Sequence, residues 1–210
     1  IFALVLISAV ILLLKKPVQA SIPPHIIESA NQFIISRTGQ EFFDQHIVLD
    51  RSETNYNEAD EFCIRDPSSC QDYMQKPHYL MIYALRVSDT SSVRAPIGFA
   101  MNDTGQVVST VEDGEIPNCT QKPLECSFPI DESDVIVIAQ EAGLEPGIKT
   151  WRTGFNWNGG FKTYIWAVSN TLSESKDGRT TGKSLIIDAH TGKVIETSGL
   201  ISMEEKEPKG

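Results

Sequence analysis

The 210-residue sequence is short of basic residues. Lys and Arg number 18 against 28 Asp and Glu, which leaves a net charge of −10. Nucleic acid or an anionic membrane surface would repel such a chain, so neither is expected as a partner. The four histidines, His25, His46, His78 and His190, show no H-x3-H or H-E-x-x-H spacing, and no metal site is expected. There is no G-x-S-x-G, which removes a hydrolase nucleophile elbow. Thr181-Gly182-Lys183-Ser184 lacks the upstream glycine of a phosphate loop, because position 177 is Asp. The acidic run Glu53–Glu61 lacks the residue order of a calcium loop and reads as a solvated segment. No cofactor and no catalytic residue is expected. What remains is a globular composition, 40% apolar, without the bias of a disordered or collagen-like chain. The length suits one large domain or two small ones.

Long hydrophobic runs are scarce as well. Ile1–Leu14 is apolar except for Ser8 and is followed by Lys15, Lys16 and Pro17. Alone it falls short of the roughly 20 residues that span a bilayer. The sequence opens on Ile, so further residues are expected upstream. Residues 1–20 are therefore read as the end of an N-terminal membrane anchor, with membrane contact through residues 1–14. The competing reading is a signal-peptide core cleaved after Val18-Gln19-Ala20. Lys15 and Lys16 pull their flank toward the cytoplasm.

The cysteines pull the other way. Cys63 and Cys70, like Cys119 and Cys126, are separated by six residues within Pro-, Ser- and Asp-rich stretches. Four cysteines allow three connectivities, and local pairing, Cys63–Cys70 and Cys119–Cys126, is expected. Zinc sites use C-x2-4-C spacing, so metal is the weaker reading. Paired cysteines imply an oxidising compartment, which puts the bulk of the chain outside the cytoplasm.

Two segments repeat. Met81-Ile82-Tyr83-Ala84-Leu85 is similar to Tyr164-Ile165-Trp166-Ala167-Val168, and Asp103-Thr104-Gly105-Gln106-Val107 to His190-Thr191-Gly192-Lys193-Val194. Upstream of each pair a helix is expected. One covers Pro24–Thr38, with Ile26, Ile27, Ala30, Phe33 and Ile34 as its apolar stripe and Gly39 past its end. The other covers Glu132–Ala142, capped by Asp131 or Ser133 and stopped by Gly143. The period then changes to two. Expected strands are Ile47–Leu49, Tyr79–Val87, Ile97–Met101 and Val107–Val111. In the second half they are Ile148–Trp157, Phe161–Ser169, Ser184–Asp188 and Lys193–Thr197. Asn158-Gly159-Gly160 marks a tight hairpin whose central residues need positive φ.

The predicted organisation is α+β, two tandem units after an N-terminal apolar helix. Each unit is a helix packed on an antiparallel sheet of three or four strands. Unit one covers 21–112, a disulfide-bearing linker 113–130, unit two 131–200 and a charged tail 201–210.

The second half resembles the PepSY-like family. The likeness rests on Ala139, Ala142 and Gly143, on Tyr164, Trp166 and Val168, and above all on Ile187-Asp188-Ala189-His190-Thr191-Gly192-Lys193-Val194. The first half departs from it, with Met101-Asn102 where the family has Asp-Ala. The resemblance implies small α+β domains outside the cytoplasm, often in tandem or linked to membranes, some of them protease propeptides or inhibitors. It carries over no catalytic residues.

Gly105, Asp188, Thr191 and Gly192 read as turn-forming residues. Lys149, Trp151, Thr153, Phe155 and Trp157 share one strand face. That face is either the sheet's core side or, through Trp151, Phe155 and Trp157, a protein-docking patch. The expected function is a non-enzymatic, membrane-anchored interaction module outside the cytoplasm, an accessory subunit with protein partners in a membrane or envelope assembly. A protease-inhibitor or propeptide-like module is the alternative, and a metal-binding or enzymatic envelope protein the third.

Overall fold

A computed structural model describes residues 21–88, 93–176 and 178–203, the last four as backbone. The predicted anchor at 1–20 and most of the predicted tail lie outside the described residues. Among the described residues no helix is long and apolar enough to cross a membrane. The described residues form a mixed α+β architecture, with two antiparallel sheets of four and five strands and four α-helices.

Helix α1, Pro24–Thr38, has the bounds that its sequence predicts, and Pro24 stands in its first turn. Ile26, Ala30 and Ile34 recur every four residues and are fully buried, while Arg37 lies in the last turn. Helix α2, Gln40–His46, follows directly after Gly39 and was not legible in the sequence. It is only seven residues long and holds through Phe42 and Phe43, which pack against the core.

Strand β3, His78–Arg86, is the centre of the first sheet. One flank carries β4, Arg94–Met101. The other flank carries two short strands in tandem, β1, Ile47–Leu49, and β2, Asn55–Asn57. Between them the chain leaves the ladder at Asp50–Thr54, and Thr54 closes the gap with its side chain. Its hydroxyl donates to Ile82 O at 3.2 Å and accepts from Ile82 N–H at 3.0 Å. The inner groups of β3 are thus satisfied while the outer edge stays broken. Val107–Val111 does not form the expected strand. Val107 makes one isolated bridge to Met101. The Ser109 hydroxyl then accepts from Ala100 N–H at 2.8 Å, in place of a backbone carbonyl.

Helix α3, Glu61–Arg65, is a single capped turn that carries Cys63, where the first disulfide loop begins. Helix α4, Glu132–Glu141, opens on a capping box. The Asp131 carboxylate accepts from Ser133 and Asp134 N–H, and Asp134 accepts from Asp131 N–H.

The second sheet runs β5 (Arg152–Asn158), β6 (Thr163–Ser169), β8 (Arg179–Asp188) and β9 (Val194–Met203). The two-residue β7, Ser173–Glu174, continues the β6 side of β8. β9 passes the predicted start of the tail at residue 201. Strand β5 starts at Arg152, four residues later than expected. The β5–β6 tip is also wider than the tight turn expected from Asn158-Gly159-Gly160. Four residues, 159–162, make the loop, and positive φ falls on Lys162 (54°) instead of on a glycine. The Asn158 carboxamide oxygen accepts from Gly160 and Phe161 N–H, so the side chain builds the turn.

Two turns share one construction. Asn102 Oδ1 accepts from Thr104 N–H, the Thr104 hydroxyl and Gln106 N–H. Asp188 Oδ1 accepts from His190 N–H, Thr191 N–H and the Thr191 hydroxyl. Each turn then uses a glycine with positive φ, Gly105 (79°) and Gly192 (71°). Asn102 takes the part of the aspartate that the sequence comparison found missing, one residue closer to its Thr-Gly. A side chain at Gly105 would strike Ser29 of α1, and one at Gly192 would meet Ile138 of α4.

The two sheets meet where β4 lies beside β5, and their cores are continuous. Tyr83 and Trp166 sit at the centres of the two sheets, both fully buried. The Tyr83 hydroxyl donates to Asn31 of α1 at 2.8 Å, and Trp166 Nε1 donates to Ile130 O at 3.2 Å.

Burial raises the Asp188 carboxyl, but the Thr191 hydroxyl and amide, the Thr163 hydroxyl and the His190 amide outweigh it, and it titrates below the ordinary carboxylate range. A carboxylate lowered on folding adds stability above its unfolded pKa of about 3.9, and that part is lost as pH falls through the folded value. Asp188→Asn is expected to keep the acceptor, as Asn102 does, and to cost little near neutral pH. It should flatten the loss of stability toward about pH 3. Asp188→Ala should cost about 1–2 kcal/mol at neutral pH. Urea midpoints at the two pH values check both, and an unchanged acid limb in Asp188→Asn would contradict the assignment.

Candidate interaction site on the disulfide loops

The segment from Glu112 to Ile130 ties the two halves together. Both expected disulfides are present, Cys63–Cys70 and Cys119–Cys126, and among the described residues no cysteine is free. Cys119–Cys126 closes a loop that ends in a 3-10 turn at Pro123–Cys126. Asn118 organises its start, with Oδ1 accepting from the Thr120 hydroxyl and Gln121 N–H. Thr120 N–H donates to Arg37 O at 3.1 Å, which fixes the loop to the end of α1. From the other side, Trp157 Nε1 donates to Glu112 at 3.0 Å and Lys162 donates to the same oxygen at 3.3 Å. The Tyr164 hydroxyl donates to Glu115 O, and His190 Nδ1 to Ser127 O at 2.8 Å.

A half-open cleft of about 590 Å3 lies between this loop and the β5–β6 end of the second sheet. Lys122, Leu124, Glu125, Trp157, Lys162 and His190 are among its lining residues. Its charges are paired internally. Lys122 lies 2.9 Å from Glu125 and 3.8 Å from Asp113. The Trp157 indole N–H and then Lys162 hold Glu112 below the ordinary carboxylate range. The Glu125 hydrogen bond raises Lys122, and burial raises both Glu115 and the Tyr164 hydroxyl. The phenol therefore stays protonated as a fixed donor. His190 stacks on Phe128 with centroids 4.9 Å apart, and its Nδ1 is committed to the Ser127 carbonyl. Among the described residues no group of three or more His, Cys, Asp or Glu is placed to hold a metal ion.

The aromatic face of β5 divides. Phe155 is 2% exposed, within ring contact of Phe128, Tyr164 and Trp166, and so belongs to the core. Trp151 is half-buried against the same core. Trp157 is half-buried at the cleft, its ring packed on Gly114. Gly105, Asp188, Thr191 and Gly192 occupy the two turns described above.

Large apolar side chains held out to solvent include Ile148 and Val137, and three lie at the disulfides, among them Leu124, the most exposed of those named. Phe62 and Ile64 flank Cys63 on α3 and are 58% and 54% exposed; Leu124, inside the second ring, is 82% exposed. Sequence reasoning passed over all three, because they sit in short apolar pieces of polar stretches with no strand or helix period. The available signal was their position beside a predicted disulfide. Comparison with known protein families, curated proteins and solved structures finds no match to this chain.

Replacing Cys119 and Cys126 together by serine is expected to cost about 2–3 kcal/mol, the loop-closure value for a ring of this size. The same change should loosen the cleft wall. Urea denaturation gives the first quantity and the rate of limited proteolysis at Leu124 the second. Unchanged values for both would show that the Asn118 and Thr120 hydrogen bonds alone hold the loop.

Proposed function

We propose that this chain is a non-enzymatic interaction module, carried outside the cytoplasm on an N-terminal membrane anchor, and an accessory subunit of a membrane or envelope assembly. The observation that carries the reading is the exposure of Ile64 and Leu124 inside two covalently closed loops, with Phe62 exposed beside the first. Exposed apolar side chains on constrained loops lose little further freedom on docking, so they suit contact with protein. Two disulfides favour an oxidising compartment. In this reading residues 21–112 and 131–200 are tandem units of the PepSY-like kind, joined by 113–130. The helix-backed sheets, the central Tyr83 and Trp166, and the twin Thr-Gly turns support the duplication.

The test is affinity isolation of the full chain from membranes in mild detergent, beside a Phe62→Asp, Leu124→Asp variant. The expected result is a stoichiometric multi-subunit membrane complex that the variant fails to retain. Recovery of the chain alone, or equal recovery with the variant, overturns the reading. Stoichiometric inhibition of a co-expressed protease would replace it with the propeptide-like alternative.

A further inference from the structure

Among the described residues, one sheet edge differs from the rest. The outer edge of the first sheet is cut in two by the Asp50–Thr54 excursion, leaving three-residue strands on either side. The inner edges of the two sheets lie side by side at β4 and β5. Strand β9 pairs only with β8 and runs unbroken for ten residues. Sheets ordinarily protect such an edge with Lys, Pro or a bulge. Val194–Met203 contains neither Lys nor Pro, and its one irregularity lies at the start, where the register shifts opposite Ile186 and Ile187.

The direction of the free backbone groups follows from the ladder. Thr181 and Lys183 carbonyls accept from Leu172 and Asn170 N–H, so those residues face β6 and β7. Alternation turns Thr180, Gly182, Ser184 and Ile186 toward β9. Their partners Ser202, Leu200, Ser198 and Glu196 face back. Thr197, Gly199 and Ile201 therefore point N–H and C=O outward, and no described residue pairs with them.

We propose that this edge pairs with β9 of a second copy, antiparallel across a two-fold axis at Gly199. Three arguments select a second copy. An isologous pair closes after two chains, and the broken edge on the far side of each chain stops further addition. With the axis at Gly199, Thr197 meets Ile201 of the other copy and Gly199 meets itself, so every outward group is matched. Glu196, the one charged residue of Val194–Met203, then stands opposite Ser202, so no like charges meet across the seam. The pairing does not depend on the partner-binding role proposed above.

Two variants test it, using the full chain in density-matched detergent. Gly199→Cys introduces a lone thiol, since the four native cysteines are paired. A side chain there meets nothing within 4 Å in its own chain. Facing residues of a hydrogen-bonded pair lie about 5.5 Å apart, within disulfide reach. Thr197→Pro removes an outward N–H and leaves the β8 ladder intact. The expected results are a sedimentation mass twice the 23.3 kDa of one chain, a covalent dimer of Gly199→Cys under mild oxidation, and a dimer dissociation constant weakened at least roughly tenfold by Thr197→Pro, with an unchanged circular-dichroism spectrum. A monomeric wild-type chain, a dimer that survives Thr197→Pro, or no Gly199→Cys cross-link overturns the proposal.

Discussion

Trp166→Ala is expected to lower the unfolding free energy by roughly 3–5 kcal/mol, a large part of the total for a domain of ordinary stability. Trp166 is fully buried in the central strand of the second sheet. Its ring lies 5.1 Å from that of Phe155, which in turn contacts Tyr164 and Phe128. Truncation removes one member of a packed aromatic group and leaves a void whose walls are held by two other strands. It also strands the Ile130 carbonyl, which accepts from the indole N–H just before the α4 cap. Trp166→Phe keeps an aromatic ring while losing the donor and part of the indole's volume, so a smaller loss than for Trp166→Ala, about 1–3 kcal/mol, is expected. Urea denaturation followed by far-ultraviolet circular dichroism measures both. A loss below about 1 kcal/mol for Trp166→Ala would contradict the packing described.

Gly182→Ala should also be costly, for the opposite reason. An added Cβ would stand 2.0 Å from the backbone oxygen of Asn170. That backbone has no room to retreat. Asn170 N–H donates to Lys183 O at 3.0 Å, its side-chain amide donates to Glu145 O at 2.7 Å, and its Oδ1 accepts from Lys183 N–H at 2.7 Å. Asn170 thus bridges the gap between β6 and β7 much as Thr54 does between β1 and β2, and Gly182 is the clearance it needs. A loss of about 3 kcal/mol is expected, at the upper end for overpacking. Gly154→Ala is the control, since a Cβ there meets nothing within 4 Å. Equal stability of the two variants would show that β7 gives way instead.

The sequence carried the elements with strong local signals. α1 is framed by proline and glycine and striped at helical spacing, and α4 has an acidic cap. The disulfide partners sit close enough to pair within one loop. Other features rest on information no single segment contains. Helix α2 has seven residues and depends on the sheet beneath it. Val107–Val111 alternates like a strand, but Ser109 satisfies Ala100 with a hydroxyl and the ladder ends there. Asn158-Gly159 reads as a two-residue turn, yet the side chain of Asn158 supports a longer loop. Phe155 and Trp157 lie on one strand face and look equivalent in sequence. Only the position of Phe128 and Tyr164 buries one and leaves the other at the cleft. The cleft itself brings residue 112 to residue 157 and residue 127 to residue 190, contacts that no local pattern encodes.

The ring closed by Cys119 and Cys126 has a consequence for durability. Leu124, its exposed apolar residue, lies between the two half-cystines in the chain. A protease that cuts the chain at this tip leaves both new ends joined through the disulfide, with Thr120 still fastened to α1. The nicked molecule would keep its mass on a non-reducing gel and fall into two pieces only when thiol is added. Damage at this exposed tip is thereby converted from a severed polypeptide into a hidden scar.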